Sequence, residues 1–302
     1  MNGLINVLKP PGMTSHDVVG WMRKQLNIKK IGHTGTLDPA VPGVLVIAVG
    51  QATRLAEYVQ EYAKSYRCEL ILGITTDSQD LEGKLQGRNA VKTAHLEMFD
   101  QVYQQFIGKI EQIPPMVSAV HYQGQRLYEL AKKGIEVERQ PRQVEIYDLK
   151  IVKKYFDEEP YRVLFDVSCS KGTYIRTLCH DLGQKLGCGA AMAFLLRTAT
   201  GPFCVSEAWT LEEIENAIQN KEYSFLLPLE RAVEQLPAVV IQNNAVEAAL
   251  NGRNIFLPDV VYYPKDLDEG SKVAVFSPNN KLIAIGIWEK QNKNVRMTKV
   301  LK

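Results

Sequence analysis

The segment Gly32-His33-Thr34-Gly35-Thr36-Leu37-Asp38-Pro39-Ala40-Val41-Pro42-Gly43 packs three glycines and two prolines around a single carboxylate. Glycine and proline at that density demand tight, rigid backbone geometry, so Asp38 is held in one direction. A carboxylate held this way can serve as a nucleophile or a base. The plainer alternative is that Asp38 makes a turn and caps the following backbone, as aspartate before proline often does. The loop lacks the Gly-Lys-Ser/Thr of a phosphate-cradling P-loop, which takes away the main support for a nucleotide triphosphatase. A second segment, Cys169-Ser170-Lys171-Gly172-Thr173-Tyr174-Ile175-Arg176-Thr177-Leu178, reads as a strand end passing through glycine into a helix. Arg176 then falls in the first helical turn, beside free backbone N–H groups that favour anions. If Arg176 reaches Asp38, the guanidinium keeps the acid ionised, which suits a nucleophile better than a general acid. A structural ion pair or an exposed arginine is the alternative. Cys179-His180-Asp181 and His33 suggest a metal or thiol centre at first sight. Adjacent helical residues point about 100° apart, however, so the three cannot converge on one ion, and no metal is expected.

Around these segments the chain alternates helical and strand patterns. Val18, Val19, Met22 and Leu26 follow a Ser15 cap at helical spacing, and Leu96, Phe99, Val102, Tyr103 and Phe106 do the same farther on. Alternation over Tyr66, Cys68, Leu70 and Leu72, and over Val163, Phe165, Val167 and Cys169, predicts half-buried strands. Near residue 230 the texture changes. After a helical run from Leu211 to Asn220, short β-rich stretches such as Val273 to Phe276 and Leu282 to Trp288 are separated by turn residues, predicting a small β-rich domain. Between Gln123 and Gln143 lie Arg126, Lys132, Lys133, Arg139 and Arg142, with Tyr128 and Leu130 interleaved. This stretch is either a solvated helix and loop or an arm that grips phosphates.

Composition bounds the rest. The 302 residues are 45% hydrophobic and 23% charged, the profile of a folded globular chain, which excludes disorder as the main theme. The longest clean apolar run, Val44 to Val49, is far short of the roughly 20 residues of a membrane-spanning helix. The opening residues carry no basic-then-apolar secretory pattern, so the cytoplasm is the expected compartment. Five cysteines without a C-x-x-C pair disfavour a disulfide framework and a structural zinc site. A net charge of +2 does not announce a polyanion partner, so any such site must be local.

Taken in order, the motifs resemble those of the TruB family of tRNA pseudouridine synthases. Lys9-Pro10-Pro11-Gly12-Met13-Thr14-Ser15-His16-Asp17 is similar to the family's opening segment, Gly32 to Gly43 to its catalytic-aspartate loop, and Lys64-Ser65-Tyr66-Arg67 to its tyrosine strand. The likeness continues through Gly73 to Gly83, Gln112 to Tyr122, Cys169 to Arg176, Gly187-Cys188-Gly189-Ala190 and Leu195-Leu196-Arg197, and covers about residues 3–210. It implies an α+β pseudouridine synthase fold: a mixed, mostly antiparallel sheet with flanking helices over residues 1–230, an RNA-gripping insertion at about 123–143, and a PUA-like β-rich domain over 235–302.

The resemblance also implies a reaction and its residues. A uridine at position 55 in the T-loop of tRNA is flipped out and isomerised to pseudouridine, with no cofactor and no metal, by a monomeric enzyme of the stand-alone bacterial kind. Asp38 matches the catalytic aspartate, Tyr66 the tyrosine stacked on the target base, and Arg176 the arginine paired with the acid. Tyr174 lies beside that arginine, and Leu195 matches an apolar wall that excludes water. His33 matches the histidine inserted into the vacated stack, while Lys9 and the 123–143 arm are expected to contact loop backbone and phosphates. The tRNA T-arm is the implied partner.

Overall fold

The computed structural model describes residues 1–118, 121, 122 and 124–301. In chain order its first fourteen strands are β1 (Gly3–Lys9), β2 (Ile31–His33), β3 (Gly43–Val49), β4 (Lys64–Leu72), β5 (Ile74–Thr76), β6 (Leu85–Arg88) and β7 (Gly108–Gln112). Then come β8 (His121–Tyr122), β9 (Gln125–Arg126), β10 (Arg142–Tyr155), β11 (Arg162–Cys169), β12 (Ala190–Thr200), β13 (Phe203–Cys204) and β14 (Leu226–Leu227). The main sheet runs β14-β1-β3-β12-β4-β11-β10-β7, with β2 added to β3 and β13 to β12. Its ladders are antiparallel except where β12 meets β3, a parallel contact at Arg197 and Gly43. Strands β5 and β6, and β8 and β9, form separate small hairpins.

Six further strands make a second sheet: β15 (Ala238–Ile241), β16 (Ile255–Phe256), β17 (Val260–Tyr262), β18 (Lys272–Phe276), β19 (Leu282–Glu289) and β20 (Asn294–Val300). Its order is β16-β20-β19-β18-β15-β17. The chain passes from one sheet to the other between β14 and β15.

Strand β3 explains how the layers stack. All seven of its residues are buried, as a central strand covered on both faces must be. Leu45, Ile47 and Val49 point into a core shared with Val18, Val19 and Met22 of one helix and Leu178 and Leu182 of another. The alternate residues Val44, Val46 and Ala48 point the other way, against Ala274, Leu282 and Ile285 of the second sheet. The two-residue period thus sends one strand's side chains into two cores.

The helix Ser15–Leu26 begins one residue earlier than the sequence suggests. Thr14, not Ser15, is the N-cap: its Oγ1 accepts from the Asp17 N–H at 3.0 Å, and its own N–H donates to Asp17 Oδ2 at 2.8 Å. Both Thr14 and Ser15 are cap-type residues, and the carboxylate three positions on selects Thr14 by closing a capping box. Ser15 is thereby free to face inward, where it meets the Asp38 loop. The expected helix around Leu96 to Phe106 is broken into Thr93–Glu97 and Phe99–Gln104, with Phe99, Val102 and Tyr103 buried. In the 123–143 stretch, Gln123 lies outside the described residues, as do the side chains of Arg126, Tyr128 and Lys132. The remainder consists of β9, the helix Leu127–Lys132 and an irregular run into β10.

Candidate active site

Asp38 sits on the connection between β2 and β3, and almost everything around it is tied down. Leu37 and Val41 on either side are buried anchors in the main core. The Leu37 N–H donates to Ser15 Oγ at 2.9 Å, and the Val41 N–H closes a turn on the Asp38 carbonyl at 3.0 Å. Thr34 donates through both its backbone N–H and its hydroxyl to the Val46 carbonyl. The Asp38 side chain itself remains 48% exposed. Glycine and proline supply the tight path, and the neighbouring residues fix it.

The expected ion pair is present: Arg176 Nη2 lies 3.0 Å from Asp38 Oδ2. Arg176 is 6% exposed in its side chain and occupies the second position of the helix Ile175–Leu186. Its guanidinium also donates to the Ser78 carbonyl at 3.1 Å and the Val117 carbonyl at 2.9 Å, and stands 3.5 Å from Asp80 Oδ2. Two carboxylates therefore share one buried arginine. Asp80 faces it from the β5–β6 hairpin with Ser78 Oγ donating to its other oxygen. The start of the arginine helix is fixed by Gln112 at the end of β7, whose amide accepts from the Tyr174 N–H at 3.0 Å and donates to the Tyr174 carbonyl at 3.2 Å.

Tyr174 is the N-cap of that helix and is half-buried. Tyr66 lies on β4, opposite Val167 on one side and Arg197 on the other. Burial raises its phenol above the usual tyrosine range, and the neighbouring Arg197 charge offsets only part of that rise, so the hydroxyl keeps its proton at neutral pH. Leu195 is buried on β12 opposite Cys68. His33 ends β2; burial, then the charges of His16 and Arg197, lower its imidazole below the ordinary value, so it is neutral at pH 7.

Lys9 is placed differently from the expectation. It is 0% exposed, and Nζ donates to the carbonyls of Pro10, Met13 and Pro39 at 2.8, 2.7 and 2.9 Å. All three ammonium hydrogens are used inside the protein, so Lys9 does not reach a phosphate. It braces the residue after Asp38 instead. Burial, reinforced by the Arg197 charge, lowers it to a pKa of about 8. In the arm, Arg139 also turns inward, donating to the Pro114 carbonyl at 3.2 Å and pairing with Glu136, while Lys133 and Arg142 are exposed.

A cavity of about 490 Å³ opens behind the loop, lined by Leu8, Lys9, Pro10, Pro42, Leu196 and Leu211; Asp38 is not in its wall. Among the described residues, no three His, Cys, Asp or Glu side chains are grouped to hold a metal ion. Burial raises Asp181 to about 6.

Three contributors receive no role from sequence reasoning, Asp80, Gln112 and Arg197, although each lies in a segment that carries the resemblance; Arg197 also stands out as a lone charge inside the apolar run of β12.

Comparisons with known proteins place this geometry. Residues 23–175 match the model for the TruB family pseudouridylate synthase N-terminal domain, residues 176–234 the tRNA pseudouridylate synthase B C-terminal domain, and residues 237–299 the PUA domain. Proteins named tRNA pseudouridine synthase B are 47% identical in Moorella thermoacetica and 45% identical in Streptococcus mutans, over 99% of both chains in each case. A solved Cbf5-Nop10-Gar1 complex contains a chain 31% identical to this one, with a TM-score of 0.78 over 99% of this chain and 84% of that one. A second, an H/ACA RNP bound to a substrate RNA containing 2′-deoxyuridine, is 29% identical with a TM-score of 0.77, covering 99% and 85%. The chain belongs to the TruB family of tRNA pseudouridine synthases, RNA-binding isomerases that convert uridine to pseudouridine.

Proposed function

We propose that this chain isomerises the uridine at position 55 in the tRNA T-loop, acting as a monomer in the cytoplasm, with Asp38 as the reacting carboxylate. The observation that carries this reading is the Arg176–Asp38 pair at 3.0 Å, with the acid half exposed on a loop anchored by the Lys9–Pro39 and Leu37–Ser15 hydrogen bonds. Breaking the N1–C1′ bond and joining C5 to the same sugar carbon needs one group that can act as nucleophile or base, and an ionised carboxylate serves. Extruding the base from a folded T-loop costs a few kcal/mol. In this reading Tyr66 stacks on the extruded base, neutral His33 fills the space it leaves, and Tyr174 and Leu195 wall the site against water.

The test is chemical mapping of pseudouridine in total tRNA lacking the modification, after incubation with the purified protein. Conversion is expected at position 55. Conversion at other positions only, or none, would overturn the reading. Binding to a T-arm hairpin should weaken steeply with salt as neutralised phosphates release counterions.

A further inference from the structure

Strand β12 carries a charged side chain to which the reading above gives no part. Arg197 is 3% exposed. Its Nε donates to the Val44 carbonyl at 2.6 Å, Nη1 to Thr36 at 3.3 Å and Nη2 to Gly35 at 3.3 Å. Its backbone N–H donates to the Pro42 carbonyl at 3.1 Å. Gly43, at φ +126°, lies so close that a Cβ there would stand 2.3 Å from the Arg197 carbonyl oxygen. One residue thus fastens both ends of the loop that presents Asp38. Directly across the β12–β4 ladder is Tyr66, so the phenol and the guanidinium stand side by side on the same face of the sheet.

Arg197 also lacks a carboxylate partner among the described residues. A buried cation without an anion is normally unfavourable. Here carbonyl dipoles hold it in place without cancelling its charge. In a site shielded from water, that charge acts strongly on an adjacent phenol oxygen able to turn negative.

We propose that Arg197 is a positioning residue for the isomerisation: it holds the Tyr66 oxygen and the Asp38 loop in one frame and stabilises negative charge on that oxygen as it takes the proton from C5. The proposal rests on the isomerase reading, with Tyr66 as proton acceptor. After C5 has bonded to C1′ it still carries its hydrogen. The Tyr66 hydroxyl gives its proton to N1, the C6–N1 π pair forming the new N1–H bond, and its oxygen, negative at that point, accepts the proton from C5. The C5–H electron pair forms the C5–C6 double bond, so protons and electrons balance and the phenol is regenerated.

The experiment is a single-turnover reaction on T-arm hairpins carrying either uridine or 5-deuterouridine, with the full chain and its Arg197→Met and Arg197→Lys variants. Losing that charge should slow Arg197→Met at least about ten-fold. It should also discriminate against deuterium more than the unaltered chain does. Arg197→Lys, which keeps the charge, should recover part of the rate and narrow the discrimination. The isotope ratio compares two substrates on one protein, so it is independent of the folded fraction; if Arg197→Met does not fold, the ratio for Arg197→Lys decides. Equal slowing on both substrates, or an undiminished rate, overturns the proposal. An unaltered chain that makes no pseudouridine overturns the isomerase reading beneath it.

Discussion

The loop presenting Asp38 and the seam between the two sheets both adjoin β3, and they are held by different forces. At the loop, two buried cations, Lys9 and Arg197, donate to six carbonyls. At the seam, Leu4, Val44, Val46 and Ala48 of the main sheet meet Ala274, Leu282, Ile285 and Leu301, with Tyr58 at the margin. Directional hydrogen bonds are a poor adhesive in net terms, each worth about 0.5–1.5 kcal/mol, but they fix atoms in place. Apolar burial contributes roughly 25 cal/mol per Å² and has no preferred direction. The reacting end is therefore built for geometry and the seam for adhesion. A few polar contacts register the seam, including Gln235 Nε2 to the Tyr58 carbonyl and the Leu282 N–H to Glu230 Oε1.

The sharpest way to break that contrast is Arg176→Met. It removes the partner of Asp38 and leaves Asp80 without its cation, which should cost on the order of 3–5 kcal/mol of stability and, at the same time, most of the single-turnover rate. Thermal unfolding and a pseudouridine time course check the two effects together; a loss of stability with the rate intact would show that the pair is purely structural.

Ile285→Asp probes the seam. An unpaired carboxylate in an apolar contact should cost several kcal/mol and lower the melting temperature sharply. The rate per folded molecule, measured on the soluble fraction, should change far less than for Arg176→Met. A rate loss as large would mean that the second sheet shapes the reacting loop directly.

Lys9→Met should be milder and should show a characteristic pH dependence. Because the folded pKa, about 8, lies below the unfolded value of 10.5, the unfolded chain binds more protons between those limits. The stability due to Lys9 is thus complete above the unfolded value and is lost as pH falls through about 8. The difference in melting temperature between the unaltered chain and Lys9→Met should therefore shift in favour of the former from pH 7 to pH 9.5. A constant difference would contradict the buried placement.

The same contrast explains what the sequence reveals. The reacting loop is legible because its constraints are local: three glycines, two prolines and one acid within twelve residues. Arg176 is legible because a strand–glycine–helix pattern fixes its position in the first turn. The strand alternation in β4 and β11 matches the buried residues Cys68, Leu70, Val163 and Phe165 for the same reason. Asp80 and Gln112 lie in quoted motif segments, yet their roles are not legible there, since those roles exist only once distant segments meet at the arginine helix. Lys9 misleads because a lysine near a proposed RNA site suggests a phosphate contact, and only the fold supplies the three carbonyls that consume its donors. Ser15 misleads because its neighbour Thr14 is also a cap-type residue and is the one that Asp17 can close a capping box with.

The central claim is that Asp38 is the reacting group and not merely a turn. Asp38→Asn keeps the shape of the side chain and removes its charge and nucleophilicity, so single turnover on a T-arm hairpin is the direct measurement. The account predicts a rate lower by on the order of a thousand-fold or more, with RNA affinity within a few fold of the unaltered chain. Pseudouridine formed by Asp38→Asn at a comparable rate would contradict it.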